Sequence, residues 1–284
     1  MPTRRGAALG LAAVALAQPA LGQGRLETEF SDLEQRSGGL VGVVALDTGS
    51  GRRLAHRADQ RFPMCSTFKV LAVGSLLRDV DRGGDDLARR ITYGRGDLIT
   101  YSPETERRLA EGMTLAALCE AAITLSDNTA ANLILQAIGG PSAVTAFARG
   151  IGDPVTRLDR TEPTLNESTP GDPRDTTTPA AMAGDLRTVL LGHTLSPPSR
   201  NRLIAWMLAC KTGEGRLEAG LPAGWKIAQK TGSGSRGSTN DIGVLWPPGR
   251  APIVVTTYTT GSARPLTERN AVLAQVGRIV AASL

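Results

Sequence analysis

Lysine is scarce in this chain. Of its 32 basic residues, all but Lys69, Lys211, Lys226 and Lys230 are Arg. A guanidinium stays protonated at any working pH, whereas an ammonium gives up its proton when desolvated beside other cations. A site that must accept a proton needs Lys, which is a chemical reason to retain Lys69. Its neighbours Phe68, Val70, Leu71 and Val73 argue against a side chain that merely snorkels from an exposed helix.

Histidine and cysteine are scarcer still. His56 and His193 stand alone, one after a hairpin strand and one at a helix end, and read as surface or capping residues. Cys65, Cys119 and Cys210 fit no zinc-ligand spacing, which disfavours a metal-dependent hydrolase; neither a metal nor another cofactor is called for. Three is also an odd count, so at least one thiol in an exported chain stays unpaired unless two molecules join. Aromatic residues make up 4% of the chain, and no basic block or aromatic-interleaved basic stripe occurs, which speaks against a nucleic-acid partner. At 41% hydrophobic and 21% charged, the 284 residues read as an ordinary folded protein with one substantial or two modest cores.

Long hydrophobic runs are missing too. The run Gly6–Ala17 is too short and too weakly apolar for a span, and no later stretch approaches the ~18 apolar residues that one requires, so no stable membrane association is expected. Preceded by Thr3-Arg4-Arg5 and followed by a small-residue cleavage site at Ala15-Leu16-Ala17 or Ala20-Leu21-Gly22, that run instead reads as an export signal over residues 1–23. The mature chain is expected to begin near residues 18–24 and to act in a periplasm or secreted, by the Sec or the twin-arginine route. Loss of Arg4 and Arg5 lowers the formal net charge from +5 to +3.

What is present is an α/β (α+β) pattern of two domains. Leu40–Leu46, the turn Asp47-Thr48-Gly49-Ser50-Gly51 and a short strand through Leu54 form a hairpin. Trp225–Ser233, Asp241–Trp246 and Ile253–Thr259 read as three more strands, and Leu266–Ala282 as a closing helix. The two chain ends are therefore expected to share one five-stranded antiparallel sheet flanked by helices, from residues 24–61 and 208–284. Between them, residues 62–207 form an inserted all-helical domain, with helices over Thr114–Thr124, Thr129–Ile138, Pro141–Arg149, Pro179–Leu191 and Ser199–Ala209. Residues 152–178 break the helical period, and the stretch 157–178 is assigned as a functional loop, the usual reason for a long irregular segment in a compact domain.

Four motifs stand in one order: Ser66-Thr67-Phe68-Lys69, Ser126-Asp127-Asn128, Glu162-Pro163-Thr164-Leu165-Asn166 and Lys230-Thr231-Gly232. Together they supply a nucleophile, proton carriers, a carboxylate and a cation for an anionic substrate. Alone, Ser-Asp-Asn reads as a turn between helices and Ser-x-x-Lys is weak; the ordered set carries the information. The apolar run from Phe62 to Val80 puts Ser66 at the N-terminal end of a buried helix, in its positive field. Lys69 then falls on the same face one turn on, close enough to share a proton with Ser66.

The set resembles the class A serine β-lactamases over essentially the whole mature chain, including Leu217-Glu218-Ala219-Gly220-Leu221-Pro222 ahead of the Lys-Thr-Gly strand. The resemblance implies a β-lactamase/transpeptidase-like fold and hydrolysis of penicillins and cephalosporins, small-molecule β-lactam substrates, by a monomer. It implies that Ser66 is acylated, that the backbone N–H groups of Ser66 and Ser233 hold the oxyanion, and that Lys69 or Glu162 takes the Ser66 proton. Ser126 would pass a proton to the departing nitrogen, and Glu162, held by Asn166 across a cis Glu162–Pro163 bond, would activate the deacylating water. Asn128 would bond the substrate's amide, Tyr101 line the cleft mouth, and Lys230, Thr231, Gly232 and Ser233 receive the substrate carboxylate. Arg216 falls where some members place a substitute for an arginine that Ser238-Thr239-Asn240 here omits. Arg160 and Asp175 match an ion pair that pins the loop; as a surface pair it would contribute ~0–1 kcal/mol.

Departures bound the specificity. The position that pairs with Cys65 in disulfide-bearing carbapenem-hydrolysing members is Gly234 here, and the one opposite Cys119 is Val73, so free thiols and little carbapenem hydrolysis are expected. Ser233-Gly234 resembles members that hydrolyse oxyimino-cephalosporins. A cell-wall transpeptidase or carboxypeptidase would share the Ser, Lys and Asn motifs but lack Glu162, and a β-lactam sensor would need a tether and a signalling domain.

Overall fold

A computed structural model describes the backbone from Pro19 and the side chains from Leu26 to Leu284. Thr3-Arg4-Arg5, the Gly6–Ala17 run and the cleavage site at residues 15–17 lie outside the described residues. Helix α1, Pro19–Ser37, was not expected from the sequence and contains the alternative cleavage site at residues 20–22. Its stripe of Leu26, Phe30 and Leu33 recurs at helical spacing but is sunk among charged residues, which hides the period.

The hairpin forms as read, β1 being Leu40–Asp47 and β2 Arg53–His56, with Asp47 Oδ1 accepting the turn N–H groups of Gly49 and Ser50. A 3₁₀ turn, Cys65–Thr67, runs into α2, Phe68–Asp81. Then follow α3 Leu115–Thr124, capped by Thr114, and α4 Asn128–Ile138, capped by Asp127 and closed by Gly139 at φ +96°. Next come α5 Pro141–Gly150, α6 Pro179–Leu186 and α7 Pro197–Leu208, the last two capped by Thr178 and Ser196. The chain returns through β3 Lys226–Ser233, β4 Thr239–Trp246 and β5 Ile253–Thr260, and closes with α8 Leu266–Ser283.

The five strands form one antiparallel sheet in the order β2-β1-β5-β4-β3, with β1 paired to β5 from Leu40↔Thr260 to Asp47↔Ile253. Alternation sends Val41, Val43, Leu245 and Val255 into a core with Leu273, Val276 and Val280 of α8. Val44, Val244, Val254 and Tyr258 point the other way, into the core built by the inserted helices. The helices thus cover both sheet faces. Among the described residues no single helix is long and apolar enough to cross a membrane.

Several boundaries differ from the sequence reading. The single helix expected over Pro179–Leu191 is α6 followed by a π turn, Arg187–Leu191, whose extra residue keeps Val189 and Leu190 buried. α7 starts at Pro197 rather than Ser199, because proline is tolerated in a first turn that Ser196 caps. β4 starts at Thr239, two residues early. His56 is half-buried, its ring stacked on Phe30 with centroids 5.3 Å apart.

Asp185 of α6 is buried, and the carboxyl of Asp153, at the start of the irregular stretch 152–178, acts on it. Burial first, and then the Asp153 charge, push the Asp185 carboxyl up to about 9. The unfolded chain ionises this group near 3.8, so stability is lost as pH rises from there through the folded value. Asp185→Asn removes the ionisable group and with it that slope. Its Tm should exceed the parent's by on the order of 3 °C at pH 8.5, about 1 kcal/mol in a chain of this size, with a smaller gap at pH 5; parallel melting curves at both pH values would refute the coupling.

Candidate active site

Ser66 lies in the 3₁₀ turn that opens α2, beside Cys65, a non-glycine residue at φ +46°. Its Oγ donates to Glu162 Oε1 at 3.2 Å, and Lys69 Nζ stands 3.2 Å from that same oxygen. The sequence reading put Ser66 next to Lys69; the structure joins them through the carboxylate instead. The Lys69 ammonium is spent elsewhere, on Ser126 O at 2.8 Å and Asn128 Oδ1 at 2.7 Å. Both charged side chains are fully shut from solvent. Burial pushes the Lys69 ammonium below its usual range, and Glu162 opposes that fall.

Glu162 is gripped from three sides. Asn166 Nδ2 donates to Oε2 at 2.5 Å, while Asn132 of α4 brackets the backbone, donating to Glu162 O at 2.9 Å and accepting its N–H at 3.0 Å. The Glu162–Pro163 peptide is cis. Behind it, Asp175 takes the N–H groups of Asp159 and Arg160 and the Arg160 guanidinium at 2.6 Å. With Asp175 at 1% exposure, this is a buried anchor and not the surface pair considered from sequence.

Ser126, at φ +61°, is presented by the turn that Asp127 ties down. Its Oγ accepts from Lys230 Nζ at 3.0 Å and from Lys69 Nζ at 3.3 Å. A hydroxyl has two lone pairs and one proton. With both lone pairs taken by cations, the Ser126 proton is free to be donated outward. Burial, and then Lys69, push the Lys230 ammonium down to about 7, so it titrates in the working range.

The far end of the cluster is built on β3. Arg216 enters beneath the strand, its Nη1 donating to Gly232 O at 2.8 Å and Asn240 O at 2.6 Å and its Nη2 to Ser233 Oγ at 2.7 Å. Thr231 Oγ1 shares a 2.5 Å hydrogen bond with Thr212. Tyr101 joins the cluster through its backbone, where its carbonyl accepts the Asn128 N–H; its side chain is exposed. Among the described residues no group of three or more His, Cys, Asp or Glu is placed to hold a metal ion.

The Ser66 hydroxyl, the buried Lys69–Glu162 pair, a Ser126 hydroxyl that accepts from two ammonium groups and the Arg216-backed end of β3 form one connected set. Residues 25–284 match the family model described as the Beta-lactamase enzyme family. The solved structure of an ancestral class A β-lactamase (GNCA) superposes with a TM-score of 0.90 at 62% identity, covering 91% of this chain and 100% of that one. The chain belongs to the class A serine β-lactamases. This β-lactamase is also similar to β-lactamase AST-1 of Nocardia asteroides, 50% identical over 91% of this chain and 83% of the relative. β-Lactamase CTX-M-8 of Citrobacter amalonaticus is 47% identical over 90% and 88%. The PenP structure from Rhodopseudomonas palustris gives a TM-score of 0.90 at 56% identity, covering 92% of this chain and 100% of that one. Hydrolysis of β-lactams is the enzyme's reaction.

Sequence reasoning missed Asn132. Its only signal was position, four residues after Asn128 and so on the same face of α4. The three cysteines of the β-lactamase are free and buried. Burial pushes the Cys65 thiol up to about 12, and its Sγ would lie only 2.6 Å from a Cβ on Gly234. Asn132→Ala strands the buried N–H and C=O of Glu162, at ~1–3 kcal/mol for each unpaired group. A lower Tm is expected, together with a fall of about tenfold or more in kcat, equivalent to ~1.4 kcal/mol. Parent-like kcat in a folded variant would show that Asn132 does not hold the carboxylate in place.

Proposed function

We propose that the enzyme hydrolyses penicillins and cephalosporins through an acyl-enzyme on Ser66, with Glu162 as the base in both halves of the reaction. The Ser66 Oγ to Glu162 Oε1 hydrogen bond carries this reading. Glu162 takes the hydroxyl proton as Oγ bonds to the lactam carbonyl carbon, and the backbone N–H groups of Ser66 and Ser233 receive the oxyanion. As the C–N bond breaks, the nitrogen takes the Ser126 proton. Lys69 Nζ, bonded to Ser126 and paired with Glu162, returns the proton from Glu162 to Ser126.

Deacylation reverses the roles. A water bonded to the Glu162 carboxylate and to Asn166 Oδ1, an acceptor with no protein partner, gives its proton to Glu162 and its oxygen to the acyl carbon. Ser66 leaves and recovers a proton. The substrate carboxylate meets Lys230, Thr231, Ser233 and Arg216 above the Gly232 backbone, its side-chain amide meets Asn128, and Tyr101 forms the rim. We extend the proposal to oxyimino-cephalosporins through Ser233-Gly234 and expect weak carbapenem turnover, since Cys65 has no disulfide partner. We also propose the division into residues 24–61 with 208–284 and an inserted 62–207, which the sheet and helix order supports. Residues 1–23 are proposed to direct export to a periplasm or the medium, where the enzyme acts as a monomer and confers antibiotic resistance.

Purified residues 24–284 should turn over a chromogenic cephalosporin, whereas Glu162→Ala should accumulate an acyl adduct visible by intact mass. A parent that stops at a stoichiometric adduct would instead indicate a penicillin-binding peptidase or sensor. Arg216→Ala should raise KM for a penicillin and a cephalosporin by about tenfold, ~1.4 kcal/mol of lost binding; an unchanged KM would remove Arg216 from the carboxylate site.

A further inference from the structure

Three buried polar atoms without a hydrogen-bond partner lie on one face of the sheet: Asp241 Oδ1, Gln229 Oε1 and Thr257 Oγ1. The strand register groups them. Asp241 on β4 stands opposite Thr231 on β3 and Thr257 on β5, and Gln229 precedes Thr231 by two residues on the same face. Directly opposed side chains have Cβ atoms ~4.5–5.5 Å apart, and diagonal neighbours lie ~7–8 Å apart. Thr231 and Ser233 share this face, so the cluster sits behind the groups that Arg216 organises. Asp241 Oδ2 also accepts the N–H of Leu217, the residue after Arg216, at 3.2 Å.

We propose that Asp241 is a positioning residue for Arg216, anchoring the Arg216–Leu217 backbone and setting how much positive charge the guanidinium offers an anionic substrate. This rests on Arg216 receiving the substrate carboxylate. Arg216 is nearly as buried as Asp241, and desolvation disfavours a lone cation there. A carboxylate in the same layer offsets that cost but also weakens the field that a substrate anion feels. One internal water would complete the cluster, donating to Asp241 Oδ1 and Gln229 Oε1 and accepting from Thr257 Oγ1–H. Gln229 is held in the matching orientation by its Nε2–H, which donates to Glu218 Oε2 at 2.7 Å.

The balance shifts with pH. Burial pushes the Asp241 carboxyl up to about 7, against the pull of Arg216. The charged groups around it are Arg216 from the preceding loop, Glu218 from the turn after it and Lys230 of β3 across the sheet. From α8, Arg269 acts on Arg216, while Thr257 of β5 is neutral. Protonation of Asp241 below that value leaves one more net positive charge beside the substrate carboxylate, so KM should fall as pH drops. Lys230 titrates in the same window and the same direction, so the difference between parent and variant is decisive.

The test measures kcat and KM for a penicillin from pH 5.5 to 8.5 with the parent, D241N and D241L. D241N keeps the Leu217 acceptor and loses the charge. Its KM should lie about threefold below the parent's at pH 8.5 and converge with it at pH 5.5, with kcat changed less than KM. D241L loses the acceptor as well and should raise KM about tenfold throughout. A D241N whose KM tracks the parent at every pH overturns the proposal even if D241L fails to fold. Because Arg216→Ala tests the underlying reading separately, a raised KM there with a parent-like D241N removes this inference alone.

Discussion

The ion pair between Lys69 and Glu162 is the constraint around which the rest of the molecule is arranged. Two charges fully removed from water cost several kcal/mol each, and attraction between them repays this only if their remaining hydrogen-bonding capacity is met. Here it is met by parts of the chain far apart in sequence. Ser126 and Asn128 absorb the ammonium, while Ser66 and Asn166 absorb the carboxylate. The opening turn of α2, the start of α4 and the irregular loop must therefore arrive together, and none can shift without leaving a buried charge unpaired. Two of these groups, Ser66 and Ser126, are also the ones that react in the proposed mechanism.

A second economy lies in β3. Successive residues of a strand face opposite sides, and the enzyme uses that period to separate two sets of contacts. Lys230 points into the helical side, where it meets Ser126. Thr231 and Ser233 point to the other side, where Thr212 bonds the first and Arg216 the second. A shift in register by one residue would exchange the two sides and abolish both.

The chemistry of this enzyme was more legible in its sequence than its packing. Ser66, Lys69, Ser126, Glu162 and Lys230 could be singled out because their motifs stand in one order, and the structure brings the five together; the sheet built from both chain ends followed from strand patterns at either end. Asn132 and Asp241 were not seen, since a single Asn on a helix and a single Asp in a strand have no local pattern to mark them. Their importance is created by the fold, which brings the Glu162 backbone to one and the Arg216 loop to the other. Helix α1 was missed because charge masks its apolar stripe, and the π turn after α6 because one inserted residue leaves a helical period intact over so short a span. The hydrogen-bond partner of Ser66 could not be read for a different reason: spacing along a helix reports direction, whereas the carboxylate that bonds Ser66 comes from 96 residues away.

The closeness of Cys65 to Gly234 couples two segments through one small residue. A Cβ at 234 would press on the Cys65 sulfur at 2.6 Å, on Asn166 O at 2.9 Å and on Ser168 Oγ at 3.0 Å. The sulfur belongs to the turn that holds Ser66, and the two oxygens to the loop that holds Glu162. A side chain at residue 234 therefore displaces both segments at once, and a smaller residue 65 relieves only one of the three contacts.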